Sequence, residues 1–183
     1  SQMFDRDDTK LWFAMSAPYQ NELRVQRLLD KASIECFIPM CYKAILRNGK
    51  KYRVWQPAVS NLVFVRATRP VLQEAKRYIP FLQYHTRPEG GRNIPITVPD
   101  EQMNSFIKVC RSNEEKLIYL TGSEISRLEK GVRVRILGGI FDGVEGAFVR
   151  VKGCRKKRIV VQVQGLVGVL LAEVDTNVIE VLD

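Results

Sequence analysis

The sequence predicts an α+β protein with two domains: an N-terminal antiparallel sheet flanked by helices, and a small all-β barrel at the C-terminal end. Up to residue 112, short apolar runs and helix-periodic segments follow each other in the order β-α-β-β-β-α-β-α. This order is typical of helices packed on a mostly antiparallel sheet. After residue 126 the helical period disappears and short β runs separated by glycines take over. Residues 113–126 between them are predicted to be a linker, which places the domains at 10–112 and 127–183.

The N-terminal domain is predicted to begin with a strand and a helix. Residues 11–16 form a short apolar run of strand length, LWFAMS. Residues 20–32 place Val25, Leu28, Leu29 and Ala32 at helical spacing on one face. This segment therefore supplies one strand of the sheet and one helix to cover it.

A β-hairpin is predicted next. Runs of strand character at 34–42 and 52–55 flank an Asn-Gly pair at 48–49. Asn-Gly tolerates the positive φ angles of a type I′ turn, so it is the expected turn of this hairpin. Pro39 and Pro57 cannot donate to a ladder, and we expect them at edges or bulges.

The rest of this domain continues the alternation. We predict a strand at 62–66, a helix at 71–78 with Pro70 in its first turn, a short strand at 81–86, and a loop or edge piece at 94–98. Pro99-Asp-Glu then begins the last helix, because acidic residues suit the positive end of the helix dipole. Its buried face is expected to contain Met103, Phe106, Ile107 and Cys110.

The C-terminal domain is predicted from five β runs, at 132–137, 147–151, 159–164, 167–173 and 178–182. Closing so short a set of strands into a barrel removes their exposed edges. We therefore expect a small barrel here.

Composition and charge restrict the function classes. The chain is 45% hydrophobic and 27% charged, which is ordinary for a globular protein, and its net charge is +9. Such a charge attracts polyanions or acidic protein surfaces, although it also serves solubility alone. No apolar run is long enough to cross a bilayer, and the first residues lack the apolar core of a secretory signal. We expect a cytoplasmic monomer without a membrane partner.

A glycine-rich stretch at 131–153, GVRVRILGGIFDGVEGAFVRVKG, almost matches a phosphate-binding loop. Gly138 and Gly143 have the required separation, but Val144 and Glu145 stand where the template needs Lys and Ser or Thr. A carboxylate would repel phosphate, and a β run rather than a helix follows. These glycines are therefore interpreted as structural.

The sequence contains no recognisable catalytic or metal-binding motif. His85 is the only histidine, and no nucleophile-elbow pattern accompanies it. No C-x-x-C pair occurs among the four cysteines, which are Cys36, Cys41, Cys110 and Cys154. We expect them to be free, buried thiols. We expect no catalytic residues, no metal, no cofactor and no enzymatic activity.

Two basic clusters are the candidates for nucleic-acid binding, since each could neutralise phosphates, although each could equally be a solvated loop. The first lies along the predicted hairpin and the second at a turn of the barrel. Only the first has aromatic residues beside it, Tyr42, Tyr52 and Trp55, that could stack on bases. The clusters are Lys43, Arg47, Lys50, Lys51 and Arg53, and Lys152, Arg155, Lys156, Lys157 and Arg158.

Together these segments resemble the NusG family of transcription elongation factors, over nearly the whole chain from about residue 11. The C-terminal stretch resembles a KOW motif: a strand at 132–137, a Gly-Pro-Phe-like turn at 139–141 in which Ile140 replaces proline, and Gly146 before a second strand. The N-terminal domain is similar to that of NusG at its remaining motifs. These are Trp12 on the first strand, Asn21-Glu22 at the helix start, Phe37-Ile38-Pro39, and the strand at 61–65.

One departure resembles a specialised subfamily. Ser60-Asn61-Leu62 stands where the housekeeping proteins usually have Pro-Gly-Tyr. This form is similar to Bacteroidetes paralogues that antiterminate transcription of capsule polysaccharide operons. The resemblance implies docking on the clamp helices of RNA polymerase, a clamp held closed across the DNA channel, and suppressed pausing and termination.

The resemblance also carries site residues by position. It places polymerase contacts at Trp12, Val59, Leu62 and Phe64; a purely structural role for Trp12 and Phe64 in the core is the alternative, because strand residues alternate faces. In the KOW domain it places partner contacts at Phe141 and Leu166, with leucine where a phenylalanine often contacts the ribosome. Nascent RNA, non-template DNA, the ribosome and a termination factor are further implied partners. A KOW-containing RNA-binding or ribosome-associated protein is the second hypothesis.

Overall fold

The computed structural model describes residues 7–112, 117–150, 153, 157–171 and 178–182. The chain divides into two compact units, Ser1–Asp100 and Glu101–Asp183. Each unit is built mainly from antiparallel strands with few helices, which confirms the predicted α+β class. No helix among the described residues is long and apolar enough to span a bilayer.

The first unit is a five-stranded antiparallel sheet with two hairpins attached. The sheet has the order β2-β5-β1-β6, and β9 pairs with β1 beside β6. Its elements are β1 (Leu11–Ser16), α1 (Glu22–Lys31), β2 (Glu35–Phe37), β3 (Met40–Arg47), β4 (Lys50–Pro57), β5 (Val63–Ala67), α2 (Arg69–Tyr78), β6 (Gln83–Tyr84), β7 (Thr86–Glu89), β8 (Arg92–Pro95) and β9 (Thr97–Val98).

The core of this unit lies between one face of the sheet and the two helices. Phe13, Met15, Val63 and Val65 belong to one buried cluster with apolar residues of α1 and α2. Helix α2 begins as predicted with proline in its first turn, where the missing N–H costs nothing. The Oγ1 atom of Thr68 caps the helix by accepting a hydrogen bond from a backbone N–H of the first turn.

The first hairpin, β3–β4, confirms the expected turn. Asn48 and Gly49 have φ angles of 50° and 75°, as a type I′ turn requires. The predicted run at 34–42 is divided at Pro39, which lies between β2 and β3. The Pro39 carbonyl accepts a hydrogen bond from Ala58, so the proline marks a break between strands.

A second hairpin, β7–β8, was not predicted, since 81–86 was expected to be one strand and 94–98 a loop or edge piece. Gly90 and Gly91 form its turn, with φ angles of 57° and 77°. The backbone N–H of Ile96 donates to the carbonyl of His85, and both residues bond to Ala14. The hairpin is therefore an excursion inserted between β6 and β9 along one edge of β1.

The second unit begins with α3 (Asp100–Cys110), which starts at the boundary, and contains a six-stranded antiparallel sheet. The sheet has the order β10-β14-β13-β12-β11-β15, an open path among the described residues. Its elements are β10 (Ile118–Thr121), α4 (Gly122–Ser126), β11 (Lys130–Ile136), β12 (Glu145–Val149), β13 (Arg158–Val163), β14 (Val167–Leu170) and β15 (Ile179–Leu182).

Strand β10 and helix α4 lie in the segment that was predicted to be a linker. Strand β10 pairs with β14 over its whole length, and α4 starts with a capping box between Thr121 and Glu124. Ile125 of α4 and Leu120 of β10 are buried in a cluster with Val160 and Leu170. Residues 118–126 are therefore part of the second unit, and a four-residue apolar run was too short to show its period.

Candidate functional site

The sheet of the first unit has a second apolar face, opposite α1 and α2. Side chains alternate along a strand, so Trp12 and Ala14 point away from the face that carries Phe13 and Met15. Ala14 is paired with Phe64, and the same Phe64 is paired with Phe37 on its other side. We call the set Trp12, Ala14, Phe37, Leu62 and Phe64 the distal face.

The alternation assigns the buried strand residues to two faces of the sheet, and neither face is exposed at these positions. Phe13 and Val65 lie against the helices, whereas Trp12, Leu62 and Phe64 belong to the distal face. Trp12 is 3% exposed, Val59 7%, Leu62 3% and Phe64 0%. Three of the four predicted polymerase contacts are therefore brought to one face, and all four are buried in this structure.

A polar group borders the distal face. Arg66 is paired with Trp12 across β1 and β5, and its guanidinium lies 3.7 Å from a carboxylate oxygen of Glu35 and 3.6 Å from one of Asp100. These are loose, solvent-exposed pairs that contribute little stability. They do place charge at the edge of an otherwise apolar surface.

Asn61 holds the chain just before β5 in a left-handed conformation, with φ at 62°. Its backbone N–H donates to Oε1 of Glu22 at 3.0 Å, and its side-chain Oδ1 accepts from the Ser16 hydroxyl at 2.7 Å. Its carbonyl accepts from Nε2 of His85 at 2.8 Å, so that ring nitrogen carries the proton. Glu22, only 5% exposed, thus connects the start of α1 to the segment that precedes Leu62.

The β3–β4 hairpin divides the first basic cluster between its two faces. Cross-strand pairing puts Tyr42 opposite Trp55, Ala44 opposite Arg53 and Leu46 opposite Lys51 on one face. Alternation places Lys43, Arg47, Lys50 and Tyr52 on the other. We call the first the aromatic face and the second the opposite face.

The carboxylate of Asp142 lies within the glycine-rich turn of the second unit. A carboxylate oxygen of Asp142 accepts from the backbone N–H of Gly138 at 2.6 Å, and the Asp142 carbonyl accepts from Nζ of Lys108 at 2.7 Å. A phosphate would have to displace that carboxylate. This geometry supports the structural interpretation of the glycines.

The same turn presents apolar side chains. Phe141 is partly buried, whereas Ile140 is 61% exposed. Leu166 lies in a different turn, between β13 and β14, and is also partly buried. Ile140 is therefore the more accessible of these two apolar side chains of the turn.

The chain was compared with protein-family models and with known proteins. The family model described as "Transcription termination factor nusG" matches residues 10–107, more than half of the chain. The chain belongs to the NusG family. NusG proteins are transcription factors that typically bind RNA polymerase.

One solved structure, titled "Domain interaction in Thermotoga maritima NusG", is similar over 97% of this chain and 100% of its own. The sequence identity is 17% and the TM-score 0.48. None of the curated proteins matches. The family assignment therefore depends on the family model.

Asparagine suits the left-handed turn of this NusG protein. It is one of the few residues besides glycine that adopt a positive φ readily, so Asn61 can hold this conformation.

The second basic cluster of this NusG protein is described only in part, because Lys152, Arg155 and Lys156 lie outside the described residues. Nε of Arg158 donates to the carbonyl of Leu171 at 2.9 Å, so Arg158 has a structural partner. Nζ of Lys157 lies 5.9 Å from the centre of the Phe148 ring. Their role in nucleic-acid binding stays a prediction.

An ion network links three strands of the second unit's sheet. Arg135 donates to Glu145 at 2.6 Å and to Glu180 at 3.1 Å, across three neighbouring strands. Hydrogen bonding to these two carboxylates raises the pKa of Arg135. Glu145, which stands where a phosphate loop needs a hydroxyl, therefore serves this network.

The described cysteines, Cys36, Cys41 and Cys110, are free and partly buried. Burial raises the pKa of Cys36 and of Cys110 to about 12, and it also raises that of Cys41. Thiols with such pKa values stay protonated and are poor nucleophiles. Cys154 lies outside the described residues.

Proposed function

We propose that this protein is an elongation factor that acts as an antiterminator by docking its first unit on the clamp helices of RNA polymerase. In this proposal, docking holds the clamp closed across the DNA channel and thereby reduces pausing and termination. Membership of a family of polymerase-binding transcription factors supports it.

The distal face is the observation that carries this proposal. Trp12 and Phe64 from neighbouring strands join Leu62 on one apolar face of the sheet, which is buried in this structure, and Arg66 adds charge at its border. An apolar surface of this kind suits the tip of a helical hairpin. Because the predicted contacts are buried, docking requires the face to be uncovered.

Operon specificity is a finer part of the proposal. Ser60-Asn61-Leu62 supports a specialised role at a polysaccharide locus, since it departs from the housekeeping form while keeping the backbone turn.

We further propose that the described strands of the second unit, with the rest of the chain, complete an SH3-like KOW barrel. Phe141, Leu166 and the exposed Ile140 would be its contacts with a ribosomal protein or termination factor.

The docking site is tested by one substitution on each face of the same sheet. Phe64→Leu removes ring atoms from the distal face, and Phe13→Leu removes the same atoms from the helix-facing core; both rings are fully buried. Each should lower the free energy of unfolding by about 1 kcal/mol. Only Phe64→Leu should also weaken binding to the cognate polymerase, by about tenfold, measured by interferometry on immobilised polymerase.

Equal losses of affinity in the two variants would show that Phe64 does not contact polymerase. Leu62→Asp is unsuitable here, because a carboxylate at a side chain that is 3% exposed would threaten the fold itself. A pause assay with wild-type protein tests the activity. Shorter pauses and more read-through are expected, whereas increased termination would assign the opposite activity.

A further inference from the structure

The β3–β4 hairpin combines a local excess of positive charge with exposed rings. Between residues 40 and 57 there are five cations and no acidic residue. None of the salt bridges found in the described part of the chain involves these cations. This strand pair forms a separate two-stranded sheet whose residues are exposed or partly buried.

The rings on the aromatic face form a compact group. Tyr42 and Trp55 have centroids 4.8 Å apart and planes inclined at 57°, and the guanidinium of Arg53 lies 4.5 Å from the centre of the Tyr42 ring. Tyr42 is 58% exposed and Trp55 51%. Exposed rings grouped beside cations make this face a candidate binding surface.

We propose that the aromatic face binds single-stranded nucleic acid by stacking unpaired bases on Trp55, Tyr42 and the Arg53 guanidinium. Aromatic and guanidinium planes beside cations are the chemistry with which proteins hold unpaired bases. A duplex keeps its bases stacked on each other and would engage only the cations. The proposal does not depend on docking to polymerase.

The spacing along the strand suits a chain of nucleotides. Every second residue of β4 lies on this face, namely Trp55, Arg53 and Lys51, and Lys51 is the one nearest the turn. Four residues of strand span about 13 Å. A single strand lying along the hairpin would therefore stack at the Trp55 end and place phosphates near Lys51.

The opposite face supplies a matched control. Tyr52 is 49% exposed, nearly as much as Trp55, but it is paired with Ile45 on the other side of the hairpin. If aromatic content alone governed binding, Tyr52 and Trp55 would contribute equally. If the aromatic face is the site, only Trp55 and its neighbours matter.

The test is binding of the full chain, without polymerase, to labelled oligothymidylate and oligouridylate of about ten nucleotides, measured by fluorescence anisotropy. Trp55→Ala should weaken binding by about fivefold to about a hundredfold, with the salt dependence unchanged. Trp55→Phe should retain most of the affinity, and Tyr52→Ala should change it less than twofold, on the order of experimental scatter. Lys51→Ala should instead reduce the slope of log Kd against log salt by about 0.7.

Several results would overturn the proposal. These are absence of binding to both oligonucleotides, equal effects of Trp55→Ala and Tyr52→Ala, or duplex DNA bound as tightly as single strands with no effect of Trp55→Ala. Preference for either oligonucleotide supports it and identifies DNA or RNA as the ligand. Circular dichroism and thermal unfolding of each variant establish that the fold persists, as expected for side chains half exposed on a separate hairpin.

Discussion

Gly146→Ala is expected to destabilise the second unit by about 3 kcal/mol. Gly146 lies in β12, and a Cβ atom there would lie 2.6 Å from the carbonyl oxygen of Val160 and 2.7 Å from Cγ2 of Ile159. The first of these atoms belongs to the backbone of the neighbouring strand, which cannot move without breaking the ladder. The free energy of unfolding from urea titration, with hydrogen exchange of β12 and β13 amides, measures the loss.

Gly168→Ala is the control for this substitution. Gly168 is also a strand glycine of the same sheet, but its Cβ would lie 3.0 Å from Cδ1 of Ile125, the far end of a side chain that can rotate away. The expected loss is about 1 kcal/mol or less. Similar losses in the two variants would mean that β12 and β13 separate easily, and that close strand contact is not the reason for glycine at 146.

Local sequence signals predicted the elements that local chemistry determines. Asn48-Gly49 needs no tertiary contact to favour a type I′ turn, and Thr68-Arg69-Pro70 favours a helix start wherever it occurs. The β7–β8 hairpin had an equally local signal, the Gly90-Gly91 pair. Pro88 and Pro95, within or at the end of its short strands, oppose that signal because proline is disfavoured in strand interiors.

Elements that depend on tertiary contacts were harder to predict from the sequence. Nothing in residues 118–126 indicates that β10 completes a sheet whose partner, β14, begins at residue 167. Similarly, alternation in β1 and β5 shows that Trp12 and Phe13 face opposite sides, but only the packing of α1 and α2 shows that Phe13 is on the side covered by these helices. The sequence therefore names candidate residues but does not assign them to a face of the sheet.

Asn61→Val is expected to cost about 3 kcal/mol of the first unit's free energy of unfolding. A β-branched residue is strongly disfavoured at a φ of 62°, and valine also removes the acceptor of the Ser16 hydroxyl. Relaxation of the turn would pull the Asn61 backbone away from Glu22 and His85. Leu62 follows directly, so we expect polymerase binding to fall together with stability.

Asn61→Gly separates the turn from the side chain. Glycine adopts positive φ without strain and keeps the backbone bonds to Glu22 and His85, losing only the bond from Ser16. Its cost should be about 1 kcal/mol, and polymerase affinity should stay near that of wild type. If Asn61→Gly weakened polymerase binding as much as Asn61→Val, the amide side chain itself would be the contact. Urea unfolding of both variants, combined with affinity for the cognate polymerase, distinguishes a turn that positions Leu62 from a side chain that binds.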